Sequence, residues 1–202
     1  MVAATASRVT RFYLILTLVG CLFLFNCVTY TSYNPDFKVV EFTDSSSNTK
    51  VIVLNLKYQA FINDNLRIDS YKVEDHKKEQ FKSFLDSSLL FKEVKKGLET
   101  GDYKLQISLE ERVYNNVILL VLTFCTLGVI PSYEIQDVSI QYRFKDNKDK
   151  LLKEYNREVN FYSLVHLSLA PIALLLFPGY EKGMGKITKS VLAEAIRDGV
   201  FK

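Results

Sequence analysis

The chain of 202 residues reads as an α+β protein: one small mixed or antiparallel sheet of about 4-5 strands with two packed helices, a leader segment in front, and two apolar loop insertions. Three observations predict this. Four stretches alternate apolar and polar residues with period two, the mark of half-buried strands. Two charged stretches carry apolar residues at helical spacing, as helices that cover a sheet do. Two long uncharged runs lie between these elements and follow neither period.

The first 27 residues have the layout of an export signal that ends in a lipidated cysteine. Arg8 and Arg11 form a basic region, Phe12 to Phe25 an apolar one, and polar sequence begins directly behind Cys27. Small residues of the A-x-A kind, which a secretory peptidase needs, are absent, so the cysteine is the informative residue. Leu18-Val19-Gly20-Cys21 matches the common bacterial lipobox by its letters, yet cleavage there would leave Leu22 to Phe25 on the mature amino terminus. Leu24-Phe25-Asn26-Cys27 fits better by position, and its Asn26 resembles the relaxed lipobox of spirochaete lipoproteins. Cys27 is the expected lipidation site, with Cys21 as the alternative. An uncleaved signal anchor is the third reading, although Phe12 to Cys27 falls short of the roughly 20 residues that cross hydrocarbon.

Removal of residues 1–26 takes two arginines and no acids from a total of 26 basic and 23 acidic residues, leaving a nearly neutral chain. That balance excludes the basic footprint of a nucleic-acid binder. What remains suits one domain: a lipidated tether over 27–49 and an α/β domain over 50–202, with apolar insertions at 113–133 and 162–180. Lipidation of Cys27 leaves only Cys125, so no intramolecular disulfide is expected. Cys125, set among apolar neighbours, reads as a small buried hydrophobe rather than a nucleophile.

The elements follow in order. Thr29 to Asp36 is a polar tether, Lys38 to Phe42 a short strand, and Thr43 to Asn48 a loop by composition. Val51 to Phe61 alternates and makes a strand. Glu74 to Lys96 is an amphipathic helix with Phe81, Phe84, Leu85, Ser88 and Leu89 on its packed side. Gly97 and Gly101 bracket a turn into a second strand from Tyr103 to Leu109. Val138 to Phe144 and Tyr155 to Phe161 form a β-hairpin with its tip at Asp146 to Lys150. Glycines 179 to 185 lead flexibly into a terminal helix whose stripe is Ile187, Val191, Leu192, Ala195, Ile196 and Val200.

The uncharged runs, Val113 to Tyr133 and Val159 to Tyr180, contain Pro131, Pro171 and Pro178. Their apolar centres, Val117 to Ile130 and Leu167 to Phe177, are about 14 and about 11 residues long, which favours interfacial, re-entrant or buried segments over full spans. Leu119, Leu120, Leu122, Phe124, Leu174, Leu175, Leu176 and Phe177 are the candidate contacts with a membrane or partner. The runs can instead fold over the sheet as core, or form two transmembrane helices.

No reactive constellation accompanies them. His76 and His166 have no metal-ligand spacing with other residues. Gly179 to Thr188 fails the phosphate-loop spacing, and Glu110 and Glu111 are adjacent on a strand and so point to opposite faces. No enzyme activity, metal or cofactor is expected.

Thr126-Leu127-Gly128-Val129-Ile130-Pro131, with Gly101-Asp102-Tyr103 opening a strand before it and Tyr155 to Ala170 after it, resembles small bacterial envelope lipoproteins. Over roughly residues 50–200 the chain is similar to the α/β domain of the TolB amino-terminal and curli-secretion lipoprotein families. The resemblance implies a lipid-anchored, non-catalytic binding or structural component of the cell envelope. Its partners would be the membrane, through the lipidated cysteine, and another envelope protein or a second copy. An oligomeric, pore-forming component is the alternative, although Val117 to Ile130 lacks the alternation of a channel-lining strand. A multi-span membrane protein with an uncleaved anchor is the second alternative. Val28 and Thr29 carry no acid behind Cys27, which points to the outer membrane.

Overall fold

The computed structural model describes residues 29–35, 49–66, 70–97, 99–126, 130–165 and 179–201. The elements run β1 (Thr29–Pro35), β2 (Val51–Ile62), β3 (Asn65–Leu66), α1 (Ser70–Asp86), β4 (Glu93–Lys96), β5 (Tyr103–Asn115), α2 (Val117–Cys125), β6 (Ser132–Asp146), β7 (Leu151–Val165) and α3 (Tyr180–Arg197). The α+β class holds. The sheet has seven strands in the order β1-β7-β6-β5-β2-β3, with β4 also paired to β2. It is mixed: β2 runs parallel to β4 and β5 and antiparallel to β3. The strands beyond the expected 4-5 are the edge strand β1 and the short β3 and β4.

Thr29–Pro35, expected as tether, forms β1, whose neighbour in the sheet is β7. The expected strand Lys38 to Phe42 lies outside the described residues. In β2 the even positions Ile52, Leu54, Leu56, Tyr58 and Ala60 are buried while Asn55, Lys57 and Gln59 are exposed, as period two requires. Asn63 and Asp64 then turn the chain with φ of 47° and 64°, the left-handed pair that Asn and Asp tolerate best in a two-residue hairpin. Asn63 N–H donates to the carbonyl of Val113 at 2.9 Å, which ties this turn to the end of β5.

β2 and β5 pair in parallel from Ile52↔Tyr103 to Ile62↔Val113, so the chain between them has to cross over the sheet, and α1 is that crossover. The helix ends at Asp86 rather than running to Lys96. Ser87 and Ser88 donate their hydroxyls to the carbonyls of Phe84 and Leu85, and Leu89 takes φ 57°. Leu89 is 73% exposed and leaves the apolar stripe. Glu93–Lys96, expected as the last helical turn, is β4, paired with Val51 to Leu54. That pairing is non-local, and no helical periodicity reports it.

α1 and α3 lie on one side of the sheet. Phe81 meets Tyr142 edge to face at 6.4 Å, and Tyr142 shares a 3.1 Å hydroxyl bond with Thr188. The core gathers Phe81 and Leu85 of α1 and Met184, Ile187, Val191, Leu192 and Ala195 of α3 against the inward residues of β2, β5, β6 and β7. Gly183 and Gly185, expected as a flexible lead, are buried inside α3. A Cβ on Gly185 would stand 3.3 Å from the Phe84 ring, so the glycine lets the two helices approach. Gly199 (φ 72°) closes the helix and turns the chain so that Phe201 packs on Phe91, Tyr103 and Phe144, ring centres 5.3, 5.3 and 5.4 Å away.

The chain divides into two compact units. The larger holds residues 31–115, 135–162 and 178–202 and contains the core just given. The described residues of the smaller are 29–30, 116–126, 130–134 and 163–165, with α2 as its helix. No helix among the described residues is long and apolar enough to cross a membrane.

Candidate functional site

α2 carries the first of the two candidate contact segments. It is nine residues, hence about 14 Å long at 1.5 Å per residue. Its outward stripe is Val117 (58% exposed), Ile118 (73%), Val121 (53%) and Leu122 (40%), at the i, i+1, i+4, i+5 spacing of one helix face. Cys125 falls on the same stripe and is exposed, contrary to its expected burial. Hydrophobic composition suggests a core position, but this side of the helix is exposed. Of the expected contacts, Leu122 is exposed, and Leu119 and Leu120 are half-buried. The Phe124 side chain, Leu174 to Phe177, Cys27, Cys21 and His166 lie outside the described residues. Val117, Ile118 and Val121 were not singled out, because both faces of this helix are apolar and no residue type marks the outer one.

The polar side chains of the segment bond to its own backbone. Asn116 Oδ1 accepts from the N–H groups of Ile118 and Leu119 at 3.1 and 3.2 Å, capping the first turn. The hydroxyl of Thr123 donates to the carbonyl of Leu119 at 2.8 Å, and that of Thr126 to the carbonyl of Leu122 at 2.7 Å. Ile130 N–H in turn donates to Thr126 Oγ1 at 3.1 Å. Tyr133 is 51% exposed, and Glu134 is the first charged residue after the run; burial raises its carboxyl above the ordinary 4.5.

A buried polar cluster in the larger unit escaped the sequence. Glu111 accepts from Tyr58 Oη at 2.7 Å and from Lys77 Nζ at 2.6 Å, and from the hydroxyl of Tyr180. The Lys77 and Glu111 side chains are 12% and 5% exposed. Lys77 Nζ also stands 4.1 Å from the centre of the Tyr180 ring and 5.7 Å from that of Tyr58. Burial, and then the Glu111 charge, hold the Tyr180 hydroxyl well above its ordinary value. Glu111 and Glu110 do point to opposite faces, yet the pairing of β5 with β2 carries Glu111 under both helices. The cluster joins β2, β5, α1 and α3. With both carboxylate oxygens engaged, Glu111 ties the two covering helices to the sheet.

The other side of the sheet is polar. A shallow recess of about 550 Å³ is lined by Lys57, Gln59, Ser108, Glu110, Gln141 and Asn156, among others. A second of about 350 Å³ adjoins it at Arg112, Asp137 and Asn160. Arg143 Nε and Gln141 Nε2 donate to Glu154 at 2.9 and 3.0 Å, and the Arg143 bond holds the Glu154 carboxyl below its ordinary value. The mixture of amides, hydroxyls and charges of both signs suits a polar, solvated contact and does not single out an anion. Among the described residues no three metal-ligating side chains come together.

No protein-family model and no curated protein matches the chain. Among solved structures it is similar to a protein from Helicobacter pylori assigned provisionally as a neuraminyllactose-binding hemagglutinin homolog, with 13% identity and a TM-score of 0.44 over 80% of this chain and 92% of that one. It is also similar to the PelC dodecamer of Paraburkholderia phytofirmans, with 7% identity and a TM-score of 0.35 over 81% of this chain and 93% of that one.

Proposed function

We propose that the protein is a lipid-anchored, non-catalytic component of a bacterial cell envelope, attached through Cys27 and binding other envelope components through the open polar face of its sheet. The observation that carries the reading is the position of the first described strand. β1 starts at Thr29, two residues behind Cys27. Cleavage before Cys27 would remove the whole apolar leader and leave every described strand intact. Cleavage before Cys21 would leave Leu22 to Phe25, four large apolar residues, in front of an edge strand. The absence of an acid at Val28 and Thr29 favours the outer membrane as the destination.

The open face supports the binding role. One side of the sheet is covered by α1 and α3, while the other presents side chains such as Gln59, Ser108 and Asn156 that a soluble partner can hydrogen-bond. Metabolic labelling with a radioactive fatty acid tests the anchor. Wild type and Cys21→Ala are expected to take up label and Cys27→Ala to lose it. Label lost only in Cys21→Ala would move the anchor upstream, and an unlabelled wild type would reject it.

A further inference from the structure

We infer that α2 is a second membrane contact, lying along the bilayer interface with Val117, Ile118, Val121 and Leu122 directed to the acyl chains. This rests on the lipid anchor at Cys27 and names what the outward stripe touches. Three observations carry it.

The first is chemical self-sufficiency. From Val113 to Tyr133 there is no Lys, Arg, Asp or Glu, and the side chains of Asn116, Thr123 and Thr126 bond to the segment's own backbone. In water these groups could be left to solvent. In lipid, each unsatisfied backbone group is costly and has to be met from within the segment. The outward stripe is aliphatic, with Cys125 at its end, while Asn116 Oδ1 and the hydroxyls of Thr123 and Thr126 are engaged with the segment's own backbone.

The second is continuity with the anchor. Thr29 and Tyr30 belong to the same compact unit as residues 116–134. Only Val28 separates Thr29 from Cys27, a reach of about 7 Å in extended chain. An acyl chain on Cys27 would keep Thr29 and Tyr30, residues of this unit, close to the headgroups.

The third is size. A helix of about 14 Å is too short to span the roughly 30 Å of hydrocarbon, so it lies along the surface. Tyr133, exposed at the end of the run and followed by Glu134, has the amphipathic character of a residue at headgroup level.

Cys125 provides the probe. With Cys27 acylated and residues 1–26 removed, it is the one remaining thiol in the sequence, and it is exposed on the outward stripe. The mature protein is labelled there with an environment-sensitive fluorophore and reconstituted in vesicles of phosphatidylcholine and phosphatidylglycerol. Emission should be quenched by a shallow nitroxide lipid and shielded from aqueous iodide. Val121→Asp should cut the lipid quenching about threefold, because an acid is unfavourable in hydrocarbon, while urea unfolding stays unchanged. A fluorophore equally open to iodide with and without vesicles, on protein whose acyl chain is confirmed by mass, would overturn the contact and leave the anchor standing. Lipid quenching on unacylated protein would do the reverse.

Discussion

α2 and α3 are both rich in apolar residues, yet they use them in opposite directions. α3 buries Ile187, Val191 and Leu192 completely or nearly so, keeps Lys186 exposed, and carries Glu181 in its first turn and Arg197 in its last, where they oppose the helix dipole. α2 turns Val117, Ile118 and Val121 outward and places Thr123 inside. Hydrophobicity therefore does not identify the core here. What separates the helices is where the aliphatic side chains go: into the core in α3, and outward in α2.

The same substitution in the two helices should give the sharpest contrast. Ile187→Asp places a charge at a fully buried position and is expected to remove more than the whole stability of a domain of this size, typically about 5–15 kcal/mol. Val121→Asp should change unfolding in urea by no more than about 0.5 kcal/mol. A large loss of stability from the second would mean that α2 is core after all. Next comes the clamp between the covering helices and the sheet. Glu111→Ala removes the carboxylate from the buried Lys77 charge, with an expected loss of about 3–5 kcal/mol by urea denaturation. Adding Lys77→Met should recover part of that loss, since the unpaired charge is then gone.

Smaller effects follow at exposed positions. Asn116→Ala removes the cap of α2 and should weaken that helix by about 1 kcal/mol, seen as faster amide exchange at Ile118 and Leu119 with the α3 amides unchanged. The smallest is a pH effect on the hairpin. The Arg143 bond lowers the Glu154 carboxyl below its ordinary 4.5, so its contribution is complete above that pH and is lost as the pH falls through the lower, folded value. The urea midpoint should drop slightly more on acidification in wild type than in Arg143→Gln, and identical acid slopes would remove Glu154 from the explanation.

The strands were legible because alternation is local. β2, β5 and the β6–β7 hairpin fall where Val51 to Phe61, Tyr103 to Leu109, Val138 to Phe144 and Tyr155 to Phe161 alternate, and the tip is at Asp146 to Lys150. What the sequence hid depends on partners far along the chain. Glu93–Lys96 looks helical beside Phe81 and Leu85 and becomes a strand only through Val51 to Leu54. Glu111 meets Tyr58, Lys77 and Tyr180, which are 53, 34 and 69 residues away. Gly183 and Gly185 carry the local signal of a loop, while the approach of Phe84 makes glycine fit inside a helix. The outward side of α2 is unreadable for a different reason: its polar Thr123 is the side chain turned inward, so polarity does not mark the exposed side.

The intact mass of the protein extracted from cell membranes tests the anchor most directly. A chain beginning at Cys27, heavier than its sequence by a diacylglyceryl group with or without an amide-linked fatty acid, is the expected result. An unmodified chain that still begins at Met1 would contradict the lipid anchor and make residues 12–27 an uncleaved membrane segment.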